Sequence, residues 1–396
     1  MRMNNQTGST SHKRIGPLFH IVKKTSTTRL QALGIRVGAI LCALVLIGLV
    51  TLIAKGANPF VVYGNMFAGY FGANTPKSLH STAILLCIGL ALTPAFKMKF
   101  WNIGAEGQVL MGCLASAACM YYVGVLANAP TPVIILSMVA ASMLAGAIWA
   151  VLPAIFKAFF GTNETLFTLM LNSVAVCLIN FMANVWSPSS ELPAASFFDP
   201  SGKVGSVFNS NNLWISVVVV LLMAVFMYIY LNYSKHGYEI SVVGESENTA
   251  KYIGVNVKKV IIRTMIISGL VCGLAGFITA AFNLGVSSAD AKGYGFTAIM
   301  VAWLAKFNPL VMILSAFLFI FVSRGGQELT VIGFPKEYSE ILVGILLFFI
   351  IGCEFFINYS IVPGNLIKKM FGKSAPASAD EVTETTTDTT EEKEEN

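Results

Sequence analysis

A chain of 396 residues that is 55% hydrophobic and only 12% charged, with a mean hydropathy of +0.71, has more apolar surface than a soluble interior of its length can hide. A soluble domain carries roughly 25% charged residues, so the composition points to lipid as the solvent. The formal charge of +6 is uneven: residues 375–396 hold eight acids and one lysine, which leaves the rest of the chain at +13. That excess sits at the ends of apolar runs, as membrane topology requires, and speaks against nucleic acid as a partner.

The first 32 residues, with Lys13, Arg14, Lys23, Lys24 and Arg29, read as a cytoplasmic N-terminal segment. The apolar run that follows lacks the short basic region and small-residue exit site of a cleaved signal peptide. It is read as an uncleaved first span. A helix needs about 20 mostly apolar residues to cross a bilayer. Ten spans are predicted, over 33–54, 79–97, 102–124, 131–156, 164–185, 213–233, 259–283, 294–305, 307–323 and 337–358. The eighth is too short to cross unaided and reads as a half-helix or re-entrant piece. With both termini in the cytoplasm, cytoplasmic segments carry 20 Lys and Arg and external ones carry six. The fold class expected is an all-α polytopic membrane protein, with residues 33–360 as its membrane domain.

The external loop 186–212 holds three prolines and two glycines and reads as exposed. The tail, 361–396, is expected to be disordered, since beyond Lys373 it is Thr- and Glu-rich with almost nothing apolar. The seven cysteines all lie in apolar runs, none in a Cys-x-x-Cys pair, and the four histidines show no ligand spacing. No metal site is expected, and no catalytic residue: Gly-x-Ser-x-Gly and His-Glu-x-x-His are both missing.

Polar residues inside a membrane segment are costly and mark paths or helix contacts. Asn102, Glu106 and Gln108 open the third span, with Asn102 and Glu106 on one face. They read as lining a path, or as a carboxylate favoured by a helix N-terminus. In the fifth span Thr165, Thr168 and Asn172 form a stripe with Asn180 beyond it. This stripe suits an uncharged polyhydroxylated solute, or else hydrogen bonds between helices. Asn283 closes the seventh span near Asp290 and Lys292. Phe296 and Trp303 in the eighth read as stacking partners for a ring or as interface anchors. Ser268, Gly269, Gly273 and Gly276 predict close helix packing. Asn102–Ser116 and Gly293–Ala305 echo each other weakly, as the two halves of a pseudo-repeated core would.

The loop 234–259 is different in kind. Ser246 caps a helix of about two turns that shows Ala250 and Ile253 on one side, and Gly254 ends it in a left-handed turn.

Four strings together resemble ABC importer permeases of the nucleoside and simple-sugar branch, related to the ribose and branched-chain amino-acid permeases. They are Phe100-Trp-Asn-Ile-Gly-Ala-Glu-Gly-Gln108, Gly161-Thr-Asn-Glu164 through Met170-Leu-Asn172, Gly244-Glu-Ser-Glu-Asn-Thr-Ala-Lys-Tyr-Ile-Gly254, and Gly293-Tyr-Gly-Phe-Thr-Ala-Ile299 through Lys306-Phe-Asn-Pro309. The resemblance covers about residues 35–360. It implies about ten spans, a coupling loop carried by Gly244, Glu245, Asn248, Thr249, Ala250 and Gly254, and a cytosolic ABC ATPase that this loop engages. It also implies a second permease subunit, often a paralogue, and an extracellular or periplasmic solute-binding lipoprotein, all at the cell membrane. The form of the first string favours nucleosides; a simple sugar of the ribose type is the alternative. No phosphate-binding Gly-x-x-x-x-Gly-Lys-[Ser/Thr] loop occurs in the chain, so no cofactor is expected on it, and ATP and Mg belong to the ATPase. An ion-coupled carrier is a further alternative, disfavoured by the scarcity of acids within the spans.

Overall fold

The computed structural model describes residues 19–24, 28–72, 74–186, 203–208, 212–283, 285–287, 293–335 and 337–363. Most of the external loop, Asp290, Lys292 and the tail beyond residue 363 lie outside the described residues. In chain order the elements are β1 (Phe19–Lys23), α1 (Arg29–Lys55), α2 (Pro59–Phe71), α3 (Thr75–Lys97), α4 (Ala105–Cys119), α5 (Thr131–Phe160), α6 (Glu164–Trp186), α7 (Trp214–Tyr233), α8 (Lys235–Glu245), α9 (Glu247–Tyr252), α10 (Val257–Asn283), α11 (Tyr294–Leu304), α12 (Pro309–Glu328), α13 (Tyr338–Asn358) and β2 (Tyr359–Pro363). Helix α4 continues as a π-helix over Met120–Leu126, and α12 as a 3₁₀ turn over Leu329–Ile332.

Nine helices among the described residues are long and apolar enough to cross a membrane. The remaining expected span, the eighth, is α11, whose 11 residues reach about 16 Å, half of a hydrocarbon core of about 30 Å. The expected half-helix is therefore present. Helices α3 and α10 are buried along most of their length, while α6 and α7 bury only a narrow stripe. Lipid-facing helices need only one face for protein contact, so they are apolar all round without being buried.

At the centre, α4, α5 and α10 meet through glycine. A Cβ added at Gly269 would lie 2.7 Å from the Ala147 Cα, and one at Gly273 2.7 Å from the Met143 Cα. Added at Gly112 or Gly146, it would lie 2.9 Å or 2.8 Å from the Gly273 Cα. Real side chains do not approach backbone so closely. In lipid, where hydrophobic burial does not drive helices together, such backbone contact supplies the packing. The glycines expected to permit close approach are thus in contact, and their partners are Gly112, Gly146 and the backbone of α5.

Two short helices were not expected. Helix α2 starts at Asn58, whose side chain accepts from the Phe60 N–H at 3.0 Å, with Pro59 at the first helical position. At 13 residues it falls below the length of a span. Helix α8 starts at Ser234, whose Oγ accepts from the Gly237 N–H at 3.0 Å, so the loop 234–259 is two helices and not one. Span nine runs further than 307–323, because Asn308 caps it at Leu310 and its end, Arg324 to Glu328, remains helical. The two echoing strings enter their helices differently: α4 has Gly104 at its N-cap with φ −83°, whereas α11 starts from Gly293 at φ +81°.

Among the described residues, those up to Gly38 and those from Ile351 to Pro363 form a separate unit. There β1 and β2 pair antiparallel from Phe19↔Pro363 to Lys23↔Tyr359. Arg36 Nη2 meets Glu354 Oε1 at 2.7 Å, and Lys24 Nζ donates to the Phe356 carbonyl at 2.9 Å. Residues 361–363, expected in the tail, are thus part of a strand.

Candidate functional site

The start of α4 is built from other elements. The Asn102 Oδ1 accepts the Gly104 N–H at 3.0 Å, which fixes its amide orientation, and then takes the Gln108 Nε2–H at 3.3 Å. On α6, Thr168 Oγ1 accepts the Ile103 N–H at 3.2 Å and itself donates to the Glu164 carbonyl at 2.8 Å. Asn172 is used at both ends: its Oδ1 accepts the Gly107 N–H at 2.8 Å, and its Nδ2 donates to the Ile103 carbonyl at 3.0 Å. The Gly107 N–H belongs to the first turn of α4, which has no partner within its own helix. Asn172 caps that turn from a neighbouring helix. Contact this close needs glycine, since a Cβ at Gly104 would lie 3.0 Å from the Thr168 Cβ and one at Gly107 2.9 Å from Asn172 Oδ1.

The structure therefore brings together four of the predicted path residues, Asn102, Gln108, Thr168 and Asn172. All four are less than a tenth exposed, and the polar atoms of Thr168 and Asn172 hold α6 to the start of α4. Asn102 Nδ2 and Gln108 Oε1 are left buried without a hydrogen-bond partner. Glu106 is half-buried, and the first turn of α11 packs on its backbone, with a Cβ at Gly295 placed 3.1 Å from the Glu106 N. Asn180 lies on the exposed side of α6, because the buried stripe there runs Thr168, Asn172, Ala175, Ile179, Ala183. Asn283 is exposed at the end of α10, away from the four. Phe296 and Trp303 are 49% and 39% exposed on α11.

Replacing Asn172 with leucine should orphan two buried backbone groups, at about 1–3 kcal/mol each. A thermal melt of the detergent-solubilised protein is expected to show a clear loss of stability, whereas Asn180→Leu should show none.

The loop between α7 and α10 lies at the same end of the bundle as this polar cluster. Helix α8 runs back against the end of α3, where a Cβ at Gly244 would run into the Lys97 carbonyl oxygen. Arg263 of α10 holds α8 from the other side, donating from Nη2 to Glu239 Oε2 at 2.6 Å. Ser246 Oγ accepts the Thr249 N–H at 3.3 Å to start α9. Its end is closed by Gly254 N–H to Lys251 O at 3.1 Å and Val255 N–H to Ala250 O at 2.9 Å, with Gly254 at φ +82°. The left-handed turn is as expected. The outward side is not: Ala250 is fully buried, and the residues presented are Tyr252, 92% exposed, and Ile253, 54% exposed. Ala250 is the small residue that lets α9 lie on the bundle. A cavity beside this loop is lined by Lys99, Lys157, Glu164, Glu245 and Glu247 among others. Across one wall Lys157 Nζ and Glu164 Oε2 pair at 2.8 Å, closing the α5–α6 turn.

The hydrogen bond from Arg263 holds the Glu239 carboxyl below its usual 4.5. A lowered folded-state value means the pair adds stability above the unfolded-state value and loses it as pH falls through the folded one. The melting-temperature gap between the wild type and Glu239→Gln is thus expected to hold from neutral pH to about pH 5 and to close below it.

Reasoning along the chain missed Trp101, Phe96 and Phe307. Trp101 meets Trp303 with ring centroids 5.5 Å apart, and Phe96 stacks on Phe307 at 6.0 Å. The only sequence signal was aromatic residues flanking two breaks in the apolar runs.

Comparison with known proteins agrees with this architecture. Residues 74–351 match the family described as branched-chain amino acid transport system / permease component. The chain is 29% identical over 368 residues to the glucose ABC transporter permease protein TsgB13 of Haloferax volcanii, covering 88% of this chain and 94% of that one. It is 28% identical to the guanosine ABC transporter permease protein NupP of Bacillus subtilis, covering 81% and 93%. It is 26% identical to the nucleoside ABC transporter permease protein NupB of Lactococcus lactis, covering 82% and 92%. With nine helices among the described residues long and apolar enough to cross a membrane, a half-helix and a match across 74–351, the chain is a multi-pass membrane permease subunit and belongs to the branched-chain amino acid transport system permease family.

Proposed function

We propose that this subunit carries nucleosides inward across the cell membrane, driven by ATP hydrolysed on a separate cytosolic ABC ATPase. The observation that carries the choice of solute is the similarity, along nine-tenths of their lengths, to permeases named for guanosine and nucleosides. A simple sugar is the second reading, favoured by the similarity to a permease named for glucose. The end of the bundle that bears α8 and α9 is assigned to the cytoplasm along with both termini. The positive-inside asymmetry and the exposed Tyr252 and Ile253 support that assignment.

In this mechanism a solute-binding lipoprotein delivers its cargo at the external face, and a second permease subunit, a paralogue, completes the path. ATP binding closes the ATPase units and pushes on α8 and α9. Gly244 passes that push to α3, and the helices rock to open inward. ATP and Mg stay on the ATPase; no covalent chemistry falls to this chain.

The test is uptake of labelled guanosine in cells with and without this chain, with unlabelled guanosine, cytidine, ribose and glucose as competitors. Uptake lost on deletion and competed by nucleosides is the expected result. Competition by glucose or ribose alone would select the sugar reading, and undiminished uptake in the deletion strain would reject both.

A further inference from the structure

We infer that two like turns, 98–102 and 305–308, form a joint that carries movement of the α8–α9 loop to the half-helix α11, with Trp101 and Trp303 as its positioning residues. The inference rests on the reading that an ATPase acts on that loop.

The two turns close with the same pair of backbone bonds. At the end of α3, the Lys99 N–H donates to the Phe96 carbonyl at 2.9 Å and the Phe100 N–H to the Ala95 carbonyl at 3.0 Å. At the end of α11, the Lys306 N–H donates to the Trp303 carbonyl at 2.9 Å and the Phe307 N–H to the Ala302 carbonyl at 2.9 Å. An asparagine then follows in each case, as the N-cap of α12 in the second and two residues before the N-cap Gly104 of α4 in the first. Asn102 Oδ1 accepts from Gly104, and Asn308 Oδ1 from Leu310, both at 3.0 Å. Matching positions carry matching residues: Ala95 and Ala302, Lys99 and Lys306, Phe100 and Phe307, Asn102 and Asn308. The first turn has one residue more, and that residue is Trp101.

Both turns hold residues with a Cβ in the left-handed region, Lys99 at φ 60°, Lys306 at φ 49° and Phe307 at φ 57°. Such backbone persists only where its surroundings hold it. Here the surroundings are aromatic rings taken from both turns. Phe307 stacks on Phe96 at 6.0 Å, Phe96 meets Trp101 edge-on at 5.7 Å, and Trp101 meets Trp303 edge-on at 5.5 Å. Each turn thus supports the other.

The joint has a mechanical input and an output. On the input side, α8 rests through Gly244 on the Lys97 carbonyl and Met98. On the output side, α11 is gripped at both ends by residues that flank the start of α4. Trp303 lies on Trp101, and Gly295 lies on Glu106. Packed contacts of this kind shift between discrete arrangements and do not stretch. A push on the first turn therefore displaces Trp101, and α11 follows it. Trp101 and Trp303 are 43% and 39% exposed, so the pair lies at the edge of the core, where losing a ring touches positioning before folding.

The test uses the assembled transporter reconstituted in vesicles, with ATP hydrolysis and uptake read from the same sample. The cargo is whichever of labelled guanosine and glucose the wild-type complex takes up. Trp101→Ala and Trp303→Ala are each expected to lower uptake about tenfold or more while hydrolysis stays within about twofold of wild type. The double variant should be no worse than the stronger single one, as for two residues acting as a unit. Trp101→Phe should recover most of the uptake. Phe348→Ala, an exposed ring on α13, should change neither readout. If an alanine variant fails to assemble, Trp101→Leu and Trp303→Leu carry the same expectation. Uptake and hydrolysis falling together, both staying at wild-type level, or losses that multiply in the double variant would overturn the joint. A wild-type complex whose uptake ignores ATP would instead remove the reading beneath it, and the joint with it.

Discussion

Replacing Gly273 with valine is expected to stop the protein from assembling, with membranes that yield no monodisperse species after solubilisation. The position is the meeting point of three helices. A Cβ there would collide with the Ser142 carbonyl and lie 2.7 Å from the Met143 Cα, while Gly112 and Gly146 press on the same residue from α4 and α5. Every neighbour is backbone, so no side chain can swing aside. Overpacking a core costs about 1–3 kcal/mol where side chains can adjust, and here whole helices must separate. The matched control is Gly344→Val on α13, where an added Cβ has nothing within 4 Å. That variant should assemble normally. Equal behaviour of the two variants would contradict the packing described here.

The second large effect is expected at Gly244. A side chain there would drive α8 off the Lys97 carbonyl, while the Arg263–Glu239 pair keeps its far face attached to α10. The bundle itself is untouched, because α8 is an appendage on helix ends. Gly244→Val should therefore insert and assemble, yet lose ATP-driven uptake by about 100-fold, the upper part of the usual range for coupling between sites. Uptake and assembly measured on the same preparation check this. Normal uptake would show that α8 does not need its contact with α3.

What could be read along the chain was what depends on local spacing. The positions of the spans, the shortness of 294–305, the Ser246 cap, the left-handed Gly254 and the four-residue step from Gly269 to Gly273 are all local features, and all are present in the structure. The partners of those features were not readable. Thr168 and Asn172 announce a polar stripe, but nothing local says that its partner is the backbone at Ile103 and Gly107. Ala250 and Ile253 look equivalent on a helical wheel. Which of them turns inward depends on where α9 rests, and Ala250 is the one small enough to be covered. Helix α2 carries a local start signal, Asn58-Pro59, but its 13 residues fall below the length by which a spanning run is recognised. The β1–β2 pair joins residues more than 300 positions apart in the chain, which no local pattern encodes.

The measurement that bears most directly on the central claim is solute flux in sealed vesicles. The vesicles would hold this subunit with the companion permease and ATPase proposed for it, with the proposed binding protein outside and ATP either enclosed or left out. Accumulation against a gradient only when ATP is inside, and none when the ATPase is omitted, is the predicted outcome. Flux of equal rate in vesicles that lack the ATPase, driven by an ion gradient or by none, would contradict it.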